Sequence, residues 1–262
     1  MPSFSMRTNA IFAFFILVLT TGFSFASTSA ITNIEYSHKG KQPQQMLPDL
    51  RKYPSGTPRK KAFLNAIVPT IDKVNREIMN DRSWLLEHQD AKHWSPSDIA
   101  KLRTLCQRYD MTCNSPKRTD WGSLLHRVDI LPTHFVATQA ATESGWGTSK
   151  LAQSNNNLFG LRCKQSCRAA PGQVKGYYSY KTIEESVIAY IQNMNTHKAY
   201  NSLRSERAKQ RLGEDDSLST PELIRQLAGY SQKGASYNRY LLQMYDSNKT
   251  LISKAQKVAR NS

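Results

Sequence analysis

The pattern that most constrains this chain is the return of apolar residues at three- and four-residue steps. Phe63, Leu64, Ile67, Ile71, Val74 and Ile78 keep that step from Lys61 onward, the mark of an amphipathic helix burying one stripe. The pattern recurs along the sequence. Ser95-Pro96 opens a second helix, with proline at its first position and Ile99, Leu102 and Leu105 behind it. Ser83 to Trp94 and Trp121 to Val128 give looser helical patterns, and another helix runs from Thr133 to about Ser144. Thr182-Ile183-Glu184-Glu185 reads as a capping box ahead of the stripe Ile183, Val187, Tyr190, Ile191 and Met194. Thr220-Pro221-Glu222 opens a helix that Gly229 can close. The last begins near Ser236, with Tyr240, Leu241, Met244 and Tyr245 expected on one face. Leu158 to Tyr180 lacks the period and predicts a loop plus a short hairpin around Tyr177, Tyr178 and Tyr180.

The chain's beginning follows other rules. Arg7 precedes a continuous apolar run, Ala10 to Leu19, and Ser24-Phe25-Ala26 offers the small residues a signal peptidase needs. The run falls short of the roughly 20 residues of a membrane span, so residues 1–26 predict a cleaved signal peptide. An uncleaved membrane anchor is the competing reading, and Thr28-Ser29-Ala30 is a second exit. Residues 27–60 form an expected linker, because Pro48, Pro54, Gly56 and Pro58 oppose a regular element. A helical region over 61–125 and a second domain over 126–262 complete the organisation.

With 39% hydrophobic and 21% charged residues, the chain can bury a core. Its formal net charge is +16. On an exported protein that excess suits anionic polymers or membrane surfaces, and the signal peptide argues against nucleic acid. The four cysteines are an even set for an oxidising compartment. Cys163–Cys167 and Cys106–Cys113 are the simplest of three connectivities. A four-cysteine zinc site competes, against spacings unlike the usual two residues. The six histidines show no ligand spacing, so no metal or cofactor is expected.

Chemistry concentrates in Ala140-Ala141-Thr142-Glu143-Ser144-Gly145-Trp146-Gly147. Val136, Ala140 and Glu143 lie four and three residues apart, hence on one helix face. Gly145 and Gly147 end that helix, and Trp146 can fold back as an apolar wall. Desolvation keeps a carboxyl protonated near neutrality, as a general acid must be. A glutamate against a tryptophan serves lysozyme in that way. A surface glutamate near a helix end is the plainer reading.

Glu143-Ser144-Gly145-Trp146-Gly147, Ser149 to Ala152 and Asn156-Asn157-Leu158-Phe159-Gly160 resemble the glucosaminidase domain of glycoside hydrolase family 73. The likeness continues through Gly176 to Tyr180, Glu185 to Tyr190, Gly229-Tyr230-Ser231 and Ser236 to Tyr240. Leu47 to Lys61 and Arg127 to Ile130 are similar to the Bax-like bacterial members in particular. This resemblance implies a mainly α (α+β) fold: a lysozyme-like helical domain with a small β lobe, preceded by the helical region. It implies hydrolysis of the β-1,4 bond between N-acetylglucosamine and N-acetylmuramic acid in peptidoglycan. Glu143 takes the place of the catalytic glutamate and Tyr237 that of the active-site tyrosine. Trp146, Asn157, Phe159, Tyr178 and Tyr230 are the expected substrate-binding residues, although asparagine runs also make turns. The expected setting is the periplasm or cell envelope, with a monomer acting on glycan strands.

One feature departs from common glycosidase practice, in which two carboxylates share the work. No Asp or Glu lies between Glu143 and Glu184. Glu184 is therefore the first candidate for a second carboxylate, with substrate assistance by the sugar's 2-acetamido group as the alternative. A lytic transglycosylase using the same glutamate, and a non-catalytic peptidoglycan-binding or regulatory protein, are the competing functions.

Overall fold

The computed structural model describes residues 46–163, 167–213, 217–227 and 235–261. The expected signal peptide, residues 27–45 of the linker, Gly229 and Tyr230 lie outside them. Among the described residues the regular structure is helical: α1 (Thr57–His88), α2 (Pro96–Arg108), α3 (Trp121–Arg127), α4 (Thr133–Ser144), α5 (Lys150–Asn155), α6 (Ile183–Thr196), α7 (Asn201–Gln210), α8 (Thr220–Arg225) and α9 (Ala235–Arg260). The mainly α expectation holds. The β lobe does not appear as strands among the described residues and is reduced to one antiparallel bridge, Arg162 to Tyr177. The loop there is tied by side chains instead. Asn155 Nδ2 donates to Ser179 Oγ at 2.7 Å, and its Oδ1 accepts the Val174 N–H at 2.9 Å. Asn156 Nδ2 donates to the Tyr180 carbonyl at 3.0 Å.

Helix α1 starts before the predicted Lys61. Gly56 at φ +83° turns the chain, and Pro58 occupies the first turn, where its missing N–H costs nothing. One 3-10 turn, Leu50–Lys52, precedes it, capped by the Asp49 side chain. The prolines of the expected linker thus punctuate helices rather than exclude them. Pro69, inside α1, removes the N–H that would bond the Asn65 carbonyl, and Asn65 is exposed to water.

Helix α4 is the axis of the fold. Phe135, Val136, Ala137, Thr138, Gln139, Ala140, Ala141 and Ser144 are all buried, which requires partners on every side. Its alanines allow α1 and α9 to approach closely, and α6 packs on α1. One apolar core holds Leu47 to Ile78 together with residues from Leu131 to Ala255. A second core joins Leu85, Leu102, Leu105, Cys106, Tyr109, Cys113, Leu124 and Val128. Helix α1 thus contributes to both cores.

Between the cores sits Asp129, 1% exposed. Arg211 Nη2 donates to its Oδ1 at 2.8 Å, while Arg207 and Arg82 stand at 3.6 and 3.8 Å from Oδ2. Burial raises the Asp129 pKa, but the charges of Arg207, Arg211 and Arg82 outweigh it and hold the carboxyl below its usual value. Both cysteine pairs form disulfides, Cys106–Cys113 and Cys163–Cys167. The last helix presents a shifted stripe: Tyr237, Leu241, Asn248, Ile252 and Ala255 are buried. Tyr240 is 51% exposed, because at about 100° per residue it stands well to one side of that stripe.

Candidate active site

The turn after α4 builds the site. Gly145, Trp146 and Gly147 all take left-handed backbone, at φ +57°, +59° and +75°. Glycine adopts this region freely, whereas a tryptophan there stores strain on the order of 1–2 kcal/mol. Ser144 fixes the turn: its buried hydroxyl donates to the Ala140 carbonyl at 2.5 Å and accepts the Gly147 N–H at 2.8 Å. The Trp146 and Gly145 N–H groups both bond the Ala141 carbonyl. Gln153 of α5 then donates to the Gly147 carbonyl at 2.6 Å.

Trp146 is half-buried. Its ring meets Phe63 of α1 edge-on, with centroids 5.8 Å apart. Lys60 holds its ammonium 4.9 Å from the ring centroid, a cation–π contact. The same ammonium donates to Asn248 Oδ1 at 2.9 Å. Neither Phe63 nor Lys60 was among the expected site residues. The helical period identifies Phe63 only as core.

Glu143 lies one residue before the end of α4, half-buried. The Tyr237 hydroxyl, from the first turn of α9, donates to Glu143 Oε1 at 2.6 Å. Desolvation pushes the Glu143 carboxyl above its ordinary value, and the Tyr237 hydrogen bond pulls partly against it. Gln139, one turn back on α4, places Oε1 2.9 Å from the same hydroxyl. Below these groups lie two tyrosines that the sequence marked only as core or not at all. Burial raises both Tyr190 and Tyr200; the field of Tyr200 and then that of Glu143 add to it at Tyr190, while at Tyr200 a hydrogen bond with Asn193 opposes the rise and Glu143 adds to it. Tyr190 is fully buried, stacks on Phe159 with centroids 3.9 Å apart, and its hydroxyl has no hydrogen-bond partner among the described residues.

The other expected residues are placed differently. Glu184 opens α6 but turns to α1, where Lys73 Nζ donates to both carboxylate oxygens at 2.9 and 3.0 Å. Thr182 caps α6 by accepting the Glu185 N–H, while Glu185 Oε2 takes the Lys181 N–H at 2.7 Å. The capping box is thus displaced by one residue on its return half. Asn157 is 1% exposed, with Nδ2 donating to the Leu161 and Tyr178 carbonyls at 2.9 and 3.0 Å. Phe159 is 2% exposed. As placed, both build the loop beneath the surface. Tyr178 is half-buried, its ring 6.3 Å from that of Tyr180.

Among the described residues no group of three or more His, Cys, Asp or Glu side chains could hold a metal ion, and no helix is long and apolar enough to cross a membrane.

Residues 119–250 match the glucosaminidase family, described as mannosyl-glycoprotein endo-beta-N-acetylglucosaminidase. Over 221 residues the chain is 50% identical to Protein bax of Escherichia coli (strain K12), covering 84% of this chain and 80% of that protein. No solved structure matches it. Helix α1, with Phe63 and Lys60 beside Trp146, precedes the family match but falls within a chain that is largely shared with that relative. With half of its length in the family match and this identity, the chain belongs to the glucosaminidase family and is a Bax-like, glycosidase-type protein.

Proposed function

We propose that the chain hydrolyses the β-1,4 bond between N-acetylglucosamine and N-acetylmuramic acid in peptidoglycan, with Glu143 as general acid. The observation that carries this reading is the 2.6 Å hydrogen bond from Tyr237 to a desolvated Glu143. A carboxylic acid that accepts at Oε1 keeps its own proton on Oε2. That proton then protonates the leaving glycosidic oxygen, while Trp146 keeps one wall of the site apolar. Activity should fall as pH rises through the raised Glu143 value, because the acid must be protonated to act.

For the second group, substrate assistance is the better reading. Glu184 is bound to Lys73 and Glu185 to the Lys181 N–H, so both face away from a shared-carboxylate role. The 2-acetamido oxygen of the cleaved N-acetylglucosamine bonds to its own anomeric carbon as the bond to the leaving oxygen breaks. Water, deprotonated by the now ionised Glu143, then attacks that carbon and displaces the acetamido oxygen. The β configuration is retained.

Action in the cell envelope, after export directed by residues 1–26, is part of the proposal, and the two disulfides suit that oxidising setting. Mass spectrometry of sacculi digested with wild type and Glu143→Gln tests it. Reducing-end N-acetylglucosamine from wild type alone is expected. Anhydro-muramic ends would instead assign a lytic transglycosylase. Sacculus binding without any cleavage product would leave only a binding protein.

A further inference from the structure

We propose that Gln139 is a positioning residue that aims the single proton of the Tyr237 hydroxyl at Glu143. The inference concerns the acid named above and rests on that reading only for its consequence in turnover. Gln139 and Glu143 are four residues apart on α4, so both face Tyr237 across the α4–α9 contact. The Tyr237 oxygen lies 2.6 Å from Glu143 Oε1 and 2.9 Å from Gln139 Oε1. A phenol has one proton to give and cannot satisfy two acceptors. Meanwhile Gln139 is 0% exposed and its Nε2 has no hydrogen-bond partner among the described residues. An unpaired donor in that position is costly.

One rotation removes both difficulties. The two ends of a side-chain amide have the same shape, and turning the Gln139 amide half a revolution brings its N–H to the phenol oxygen. Gln139 then donates to Tyr237, and Tyr237 donates to Glu143. The carbonyl end takes the buried position, which an under-satisfied acceptor tolerates better than a donor does. Each bond polarises the next in such a chain. The hydroxyl can no longer rotate away from Glu143, so the acid's own proton stays on Oε2. Gln139 never touches substrate in this arrangement. It acts through Tyr237 alone.

The sign of one measurement separates this from the alternative. Carbon-13 labelling of glutamate side chains in the full chain allows NMR titration of the Glu143 carboxyl, assigned by its loss in Glu143→Gln. Gln139→Met keeps the volume and removes the donor, so Tyr237 donates less strongly and the midpoint should rise by about half a pH unit. Tyr237→Phe should raise it further. The double variant should match Tyr237→Phe alone, as required if Gln139 works only through the phenol. A lowered midpoint in Gln139→Met would show Gln139 to be a competing acceptor. An unmoved midpoint, or shifts that add in the double variant, would equally overturn the proposal. Gln139→Leu, which also lacks a donor, repeats the test with a second fold-compatible side chain. Full turnover by Glu143→Gln would sink the hydrolase reading, and the NMR cycle would still decide the role of Gln139.

Discussion

Gly147→Ala should be among the most damaging single-methyl changes in the protein, and its cost divides into two parts. The first is conformational. Gly147 sits at φ +75°, where a side chain costs on the order of 1–2 kcal/mol, partly offset by about 0.4–1 kcal/mol from stiffening the unfolded chain. The second is steric. A Cβ there would stand 3.0 Å from Phe63 Cδ2, 3.1 Å from Leu50 Cδ1 and 3.2 Å from Leu47 Cδ2. All three side chains are buried in the main core, and forcing a methyl among them costs roughly 1–3 kcal/mol. The two parts together come to about 1–4.5 kcal/mol. Gly160→Ala is the control, since Gly160 has φ +69° with nothing within 4 Å of an added Cβ. It should cost only the conformational part, no more than about 1.6 kcal/mol. Urea denaturation of both variants, at constant m-value, measures the difference directly. Equal losses would refute the steric argument, and with it the view that Leu47 and Leu50 are seated against the turn after Glu143.

The remaining expectations concern charge. Glu143→Gln should lower turnover on sacculi by about 10²–10⁴-fold. The same variant should be stabilising near neutrality. A carboxyl with a raised folded pKa favours folding below its unfolded value and loses that contribution as pH rises through the folded one, so the melting-temperature gain should grow from pH 4 to pH 8. Glu184→Gln should leave turnover within a few-fold of wild type and cost under about 1 kcal/mol, because the Lys73 pair is partly solvated; loss as complete as in Glu143→Gln would restore a two-carboxylate mechanism. Asp129→Asn should cost about 3–5 kcal/mol by leaving the buried Arg207 under-compensated. Since Asp129 is depressed, its stabilisation is present above its unfolded pKa and is lost on acidification through the folded value, so the gap between variant and wild type should close at low pH.

What was legible in the sequence was what local physics decides. A buried stripe, a Ser–Pro start and a threonine cap act within a few residues, and α2, α4 and α6 begin where those signals stand. Tyr240 was misplaced because an aromatic at the edge of a helical stripe looks apolar in sequence whether or not a partner covers it, and here it stands to one side of the buried line through Tyr237 and Leu241. The hairpin failed for a different reason. Asparagine and tyrosine runs suit a strand pair or a pinned loop alike, and Asn155 and Asn156 decided the matter by bonding backbone rather than leaving it to pair. The start of α1 depended on tertiary support, since Leu47, Leu50 and Phe63 are buried in one core beside the turn at Gly147.

The candidate site was legible to the extent that chemistry sits next to its own structural cause. Glu143 is followed at once by the glycines that end its helix, so acid and turn were visible together. The groups around the acid and its turn arrive from far along the chain: Phe63 of α1 against Trp146, Tyr190 of α6 and Tyr237 of α9 near Glu143 itself. Of these, only Tyr237 was expected at the site, through resemblance rather than periodicity. Gln139 shows the limit most sharply. It lies one turn from Glu143, yet an amide in a helix carries no local sign of function. Only the phenol from α9, with a single proton to give, makes the direction of that amide matter to the acid.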